Sequence, residues 1–280
     1  MALNVDAVGT TTSAHVHHYT WKDVVLYALS VGATTRELDF LYEKHGPKVF
    51  PTYAVIPTFA VVSELFEIVG GDLLGVVHNA QRIRLHRTFS PEATLHTTGT
   101  VKGVYDLKRL AEAVFTTETR EGDELVCETE WQILFRLDGG FGGPRPPASL
   151  KVRAPDREPD FEVSESTTPE QAALYRLNGD LNPLHIDPEI GEKVGFGSPI
   201  LHGLCTFGYV GRAVLHSRCG GDPSRLKELR CQFRKPVWPG DTLITRGWDE
   251  GDQTVLRLTT RERPQEMAVT NAYAVVTNGS

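Results

Sequence analysis

Cysteine is scarce: four residues in 280, Cys127, Cys205, Cys219 and Cys231, with no Cys-x-x-Cys pair among them. Such scatter excludes a disulfide framework or a thiolate metal motif and points to a reducing cytoplasm. Basic charge is also short. Twenty-nine Lys and Arg against 36 Asp and Glu give a net charge of −7, which argues against nucleic acid as the main partner, because phosphate binding needs clustered cations. No apolar run approaches the roughly 18 residues that a membrane span requires. The start, "MALNVDAVGTTTSAHVHHYTW", has neither a basic opening nor an apolar core, so no secretory signal is expected, and "TNGS" at the other end is no peroxisomal address.

Glycine and proline, by contrast, are concentrated. Residues 136–160, "RLDGGFGGPRPPASLKVRAPDREPD", lack an apolar period and read as a linker that halves the chain. The expected division is 1–138, a linker at 139–160, and 161–280. The halves repeat. At a shift of 148 positions Leu26, Tyr27 and Leu29 lie over Leu174, Tyr175 and Leu177, and "SPEATL" (90–95) lies over "WPGDTL" (238–243). Each half carries one apolar helical stretch, Pro57 to Val69 and about Pro199 to Leu215, with the proline suited to a first helical position. Alternating strand-like runs follow each helix. One long helix followed by antiparallel strands that wrap it, twice over, predicts an α+β double hot-dog.

The halves differ at "NGDLNPLHIDP", residues 178–188, which crowds Asp180, Asn182, His185 and Asp187 between glycine and prolines. In the first half Gly32 stands in the place of Asp180 and Glu37 in that of His185. Three readings suit the cluster. Asp and Asn before proline close turns, so the segment can be a loop and nothing more. Asp180, His185 and Asp187 are metal-ligand types, although no helical ligand spacing supports them. A carboxylate and a neutral imidazole on a loop that bends back can also hold one water from two sides for acid–base work, with a carboxamide to orient it.

The longer segment, "LYRLNGDLNPLHIDPEIGEKVGFGSPILHGLCTFGYVGRAVL", resembles the signature of hydratase 2, the R-specific 2-enoyl-CoA hydratases of the MaoC-like group. The aromatic followed by G-D-x-N-P-aliphatic-H is intact from Tyr175 to His185, and "APDREPD" and "PILHGL" are also typical of the family. The resemblance implies a double hot-dog over nearly the whole chain, with a first half that keeps the scaffold without the chemistry and accommodates the acyl tail. It further implies syn addition of water across a trans-2-enoyl-CoA to give (3R)-3-hydroxyacyl-CoA, with no metal or redox cofactor. Asp180 and His185 become the acid/base pair, Asn182 the residue that orients the water, and the Gly203 amide the donor to the thioester oxygen. That amide has its own physical basis, since donors at a helix start lack partners and face the positive end of the dipole.

Other features stand beside these. Arg82, Arg84 and His86 share one strand face, as do Arg230, Gln232 and Arg234; they are either a solvated face or a phosphate site for coenzyme A, and Lys235 joins them as a candidate. Cys205, beside His202, reads as packing rather than as a nucleophile. "HVHH" at 15–18 reads as incidental in a terminal segment. The expected partner is an acyl-CoA, with a homodimer as further assembly. Rival functions are dehydration of an acyl-carrier-protein thioester, a non-catalytic acyl-thioester-binding subunit, and a thioesterase.

Overall fold

The computed structural model describes residues 3–148 and 151–277; linker positions 149–150 and the last three residues of "TNGS" lie outside them. Ten strands form one sheet: β1 (His15–Tyr19), β2 (Val76–Leu85), β3 (Ala93–Asp106), β4 (Ala111–Glu121), β5 (Glu124–Phe135), β6 (Phe161–Ser166), β7 (Leu226–Phe233), β8 (Thr242–Glu250), β9 (Gln253–Thr260) and β10 (Met267–Val276). The α-helices are α1 (Trp21–Ser30), α2 (Leu38–Leu41), α3 (Phe59–Val69), α4 (Gln171–Tyr175), α5 (Pro188–Lys193) and α6 (Gly203–Arg218). Between β5 and β6 the described residues form no helix or strand.

The sheet order is β1-β3-β4-β5-β2-β7-β10-β9-β8-β6. Each half therefore runs first, third, fourth, fifth and second strand from the outside inwards, and the two second strands meet. This is the α+β double hot-dog expected, closed into one continuous sheet. At the junction β2 and β7 pair antiparallel with Arg82 opposite Arg230, two residues separated by the repeat interval of 148. Pairing extends only from Ala80↔Gln232 to Arg84↔Glu228. Beyond it Val76–Asn79 and Phe233–Val237 part, and a slot opens between the halves.

The core helices fill the concave side. Val61, Val62, Leu65 and Val69 of α3 are buried, and Gly70 at φ +67° ends the helix in a conformation that suits glycine. In α6 every residue from Leu204 to Gly211 is buried, as befits a helix enclosed on all sides. Three details depart from expectation. A 3₁₀ helix at Pro51–Thr58 leads directly into α3, so Pro57 lies inside a longer helical stretch rather than at its start. That stretch, Pro51–Val69, is 19 residues and apolar enough by length and composition to cross a membrane, which corrects the expectation of no such run; 61% of its apolar window is buried within the fold, as a core helix requires. A strand also precedes each helix. "HVHH" supplies the first of these, β1, with His15 bonded to Glu64 at 2.5 Å and His18 to the Thr94 hydroxyl at 2.7 Å.

Candidate active site

The polar cluster lies where the catalytic loop meets the start of α6. Its backbone is fixed by local capping: Gly179 takes φ +118°, and the Asn182 Oδ1 accepts from the Leu184 amide at 3.0 Å. Asp187 does the same for Glu189 at 2.9 Å and so begins α5. The turn reading is thus true of Asn182 and Asp187, and of Asp180, whose Oδ1 accepts from the Asn182 amide at 3.3 Å, yet it leaves the Asn182 Nδ2 donors, the second Asp180 oxygen and one edge of His185 for other work. Asp180, Asn182 and His185 all line a cavity of about 840 Å³ in the slot between the halves.

His185 is buried, and its Nδ1 donates to the Ile200 carbonyl at 2.8 Å. A single proton committed there leaves Nε2 with a free lone pair. Burial is the main influence on both groups: it lowers the His185 imidazole and raises the Asp180 carboxyl, and the mutual attraction of their charged forms only partly opposes it. Ligand atoms of Asp180, His185 and His202 lie within 4.8 Å of one another. A pair so close shares its protons, and burial favours the uncharged arrangement, a protonated carboxyl beside a neutral imidazole. His202 completes a cluster of metal-ligand types; its ring stacks on that of His185 at 3.7 Å and 29°, and one nitrogen of each ring is already bonded to a backbone carbonyl.

Gly203 is the first residue of α6, and His202 before it makes no side-chain cap. Among the described residues nothing accepts from the Gly203 amide, and the residue lines the same cavity. A free N–H at the positive end of a sixteen-residue helix can receive developing negative charge. Cys205, two residues further along the helix, is a buried thiol that donates to the Ser30 carbonyl at 3.3 Å, and burial raises its pKa far above that of a nucleophile.

The cationic candidates divide. Arg234 and Lys235 are exposed at the cavity, with no ion pair among the described residues. Arg82 and Arg84 lie elsewhere, in a ladder of charge across the β2–β7 junction: Arg84 donates to Glu228 at 3.2 Å, and Arg82 has Glu228 and Glu130 within 3.8 and 3.9 Å. His86 bonds Glu128 at 2.9 Å, and Arg230 donates to the Asn271 carbonyl at 2.6 Å. Arg82 and Arg84 thus do not line this cavity and are held in cross-strand ion pairs. Sequence alternation found their common face but could not see the glutamates of neighbouring strands.

Residues 17–137 match the MFE-2 hydratase 2 N-terminal domain, and residues 151–271 match the MaoC like domain. The peroxisomal enoyl-CoA hydratase 2 of Arabidopsis thaliana is 36% identical, with 88% of this chain and 86% of that protein aligned. The chain belongs to the MaoC-like hydratase 2 family. The peroxisomal multifunctional enzyme type 2 of Mus musculus is 34% identical over 96% of this chain, which spans only 38% of that longer protein. A solved MaoC-like dehydratase from Phytophthora capsici superposes with a TM-score of 0.88 at 32% identity, covering 98% of each chain.

The first half lacks the Asp180–Asn182–His185 cluster, and the corresponding positions border a smaller cavity of about 470 Å³. The space that a side chain at Gly32 would need is occupied by the Tyr209 ring, 2.4 Å from an ideal Cβ. Glu37, in the place of His185, receives Arg212 at 2.5 and 3.0 Å and His216 at 2.7 Å, while Arg212 also binds Glu165. Position 55, equivalent to Gly203, is Val55, fully buried within the Pro51–Thr58 helical turn. The sequence comparison missed this third loss because the extra turn was not foreseen.

Proposed function

We propose that the chain is an R-specific enoyl-CoA hydratase that reversibly adds water to a trans-2-enoyl-CoA to give (3R)-3-hydroxyacyl-CoA. The observation that carries this reading is the Asp180–His185 pair facing the same cavity as the unpartnered Gly203 amide. One supplies the proton transfers of hydration, the other a resting place for charge on the thioester oxygen.

The thioester carbonyl binds to the Gly203 N–H, which draws electron density from C3. Water held by Asp180 and His185, and oriented by the Asn182 amide, attacks C3 as its proton passes to His185 Nε2. The Asp180 carboxyl then delivers its proton to C2 from the same face, so both new bonds form syn. A bond from water oxygen to C3 and one from hydrogen to C2 replace the double bond. The proton now on His185 returns to Asp180, and the pair is restored. Neither metal nor redox cofactor enters this reading.

The acyl chain runs from the catalytic loop into the first half, along Phe59, Val62 and Phe66 of α3 and past Trp131. Exposed Arg234 and Lys235 suit the phosphates of coenzyme A at the cavity mouth. The four cysteines, all free thiols, suit a reducing compartment such as the cytoplasm. Both hot-dogs of the site come from one chain, so a homodimer would add to assembly rather than to chemistry. Loss of absorbance from the conjugated enoyl thioester, with chiral analysis of the product, tests the reaction. No absorbance change with any chain length would overturn it, and a clear preference for matched acyl-carrier-protein substrates would reassign the carrier.

A further inference from the structure

We infer that His202 is a positioning residue for hydration, tying the Asp180 backbone, the His185 ring and the Gly203 amide into one rigid unit. This inference rests on the hydratase reading.

His202 is wholly buried and does not line the cavity, so it acts only through neighbours. It touches all three parts of the site. Its Nε2 donates to the Asp180 carbonyl at 3.2 Å, its ring stacks on His185 at 3.7 Å, and its own backbone is the N-cap that leads into Gly203. As an N-cap it is unusual, because the side chain turns away from its helix instead of capping it. Burial first, and then the nearby His185, press its pKa down to about 2, so the ring stays neutral throughout the working range.

Two observations separate this role from ordinary packing. With Nε2 as donor, the buried Nδ1 is left without a partner, a penalty that a phenylalanine or leucine of similar size would avoid. The equivalent position of the first half, 148 residues earlier, is Ala54, where there is no acid–base pair to hold. The polar ring thus occurs only beside the chemistry.

The test compares His202→Phe, which keeps a stacking ring but has no donor, with His202→Gln, whose amide can reach the Asp180 carbonyl. On a short enoyl-CoA the phenylalanine variant should lose about 10–100-fold in kcat, as outer-shell partners typically do, with KM changed less than about twofold. Glutamine should recover most of that loss. The acid limb of the kcat profile should shift in the phenylalanine variant, since Asp180 is no longer held against His185. Wild-type kcat and pH profile in a folded His202→Phe protein would overturn the inference, as would equal kcat in the two variants. If the phenylalanine variant does not fold, His202→Asn, whose amide is too short to reach, replaces it, and turnover equal to that of His202→Gln overturns the proposal. An NMR titration of His185 keeps the two levels apart: if the wild type shows no hydration, the reading of function fails, and an unchanged His185 titration in the variant that lacks the donor fails the role of His202 separately.

Discussion

Asn178 donates through Nδ2 to the hydroxyl of Ser30 at 3.0 Å, and these two residues occupy equivalent positions of the two halves, 148 apart. Equivalent residues can touch only at an axis that exchanges the halves. Tyr27 and Tyr175, also 148 apart, approach with ring centroids at 6.3 Å, and Arg82 faces Arg230. A pseudo-twofold axis therefore runs from the helical layer to the sheet, and the Asp180–His185 cluster and its counterpart at Gly32 and Glu37 lie on opposite sides of it.

Asp180→Asn and His185→Gln should each lower kcat by about 10²–10⁴-fold without unfolding the protein, the range expected for lost acid–base work. The pH dependence follows from the directions of the two shifts. Burial raises Asp180 above 3.8 and lowers His185 below 6.5, so the active one-proton pair gives way at low pH when the imidazole gains a second proton, and at high pH when the carboxyl loses the last. A bell-shaped kcat profile is expected, with its acid limb below 6.5. Residual activity of His185→Gln should lack the acid limb, and that of Asp180→Asn the alkaline one.

Gly203→Pro should remove the thioester donor and cost at least about 10²–10³-fold in kcat. The structure makes this a clean substitution for the fold. Proline is well suited to a first helical position, and His202 at φ −57°, ψ 135° already has the extended backbone that a following proline requires. Gly203→Ala is the control: its Cβ would meet only the Phe233 ring at an ordinary 3.5 Å, and its N–H remains. A folded proline variant with alanine-like turnover would move the oxyanion site elsewhere.

Glu37→Gln should leave turnover of a short substrate nearly unchanged but lower stability by about 1–3 kcal/mol, because Arg212 and His216 lose a charged partner. Burial alone would raise the Glu37 pKa, but hydrogen bonds from His216, Arg212 and the Thr34 amide outweigh it and bring the group down to about 2. A depressed carboxylate stabilises the fold above its ordinary value and ceases to do so as pH falls from 4.5 towards 2. Urea melts of wild type and variant should therefore converge at acid pH. A kcat loss like that of His185→Gln would show that the first half is catalytic.

Trp131→Ala should widen the acyl channel and shift preference towards longer or branched chains. Trp131 stacks with His78 at 4.8 Å and meets Phe59 edge-on at 6.0 Å, so its removal loosens a whole wall. The measurement is kcat/KM across a chain-length series; an unchanged profile would mean the acyl chain takes another path.

Neutralising Arg234 and Lys235 together should raise KM for a coenzyme A substrate, and more at low salt than at high, whereas Arg82→Ala should affect stability alone. Equal effects on KM from both changes would contradict the division drawn between cavity and junction.

Much of this was legible in sequence because the informative signals are local or periodic. The 148-residue interval came from matched turns and helices, and the G-D-x-N-P-x-H run needed no third dimension. What escaped depends on contacts between distant segments. Nothing near Gly32 announces that Tyr209 fills its space, and nothing near His202 announces the Asp180 carbonyl 22 residues away. The strand at 15–19 escaped for another reason: three histidines hid the alternation of an edge strand that is only half buried. The slot itself follows from where β2 and β7 stop pairing, a register that no single strand encodes.

The linker at 136–160 has a consequence beyond joining two folds. In an assembly of identical chains every substitution appears twice, so a change that enlarges one side of a symmetric interface must be tolerated on the other. Here the β2–β7 pairing lies within one polypeptide, and residues related by the axis are free to differ. Aspartate can face the cavity at 180 while glycine yields its place to a tyrosine at 32. Asymmetry of this kind sets a chamber of about 840 Å³ around Asp180 and His185 on one side of the axis against a smaller one of about 470 Å³, bordered by Gly32, Glu37 and Tyr209, on the other.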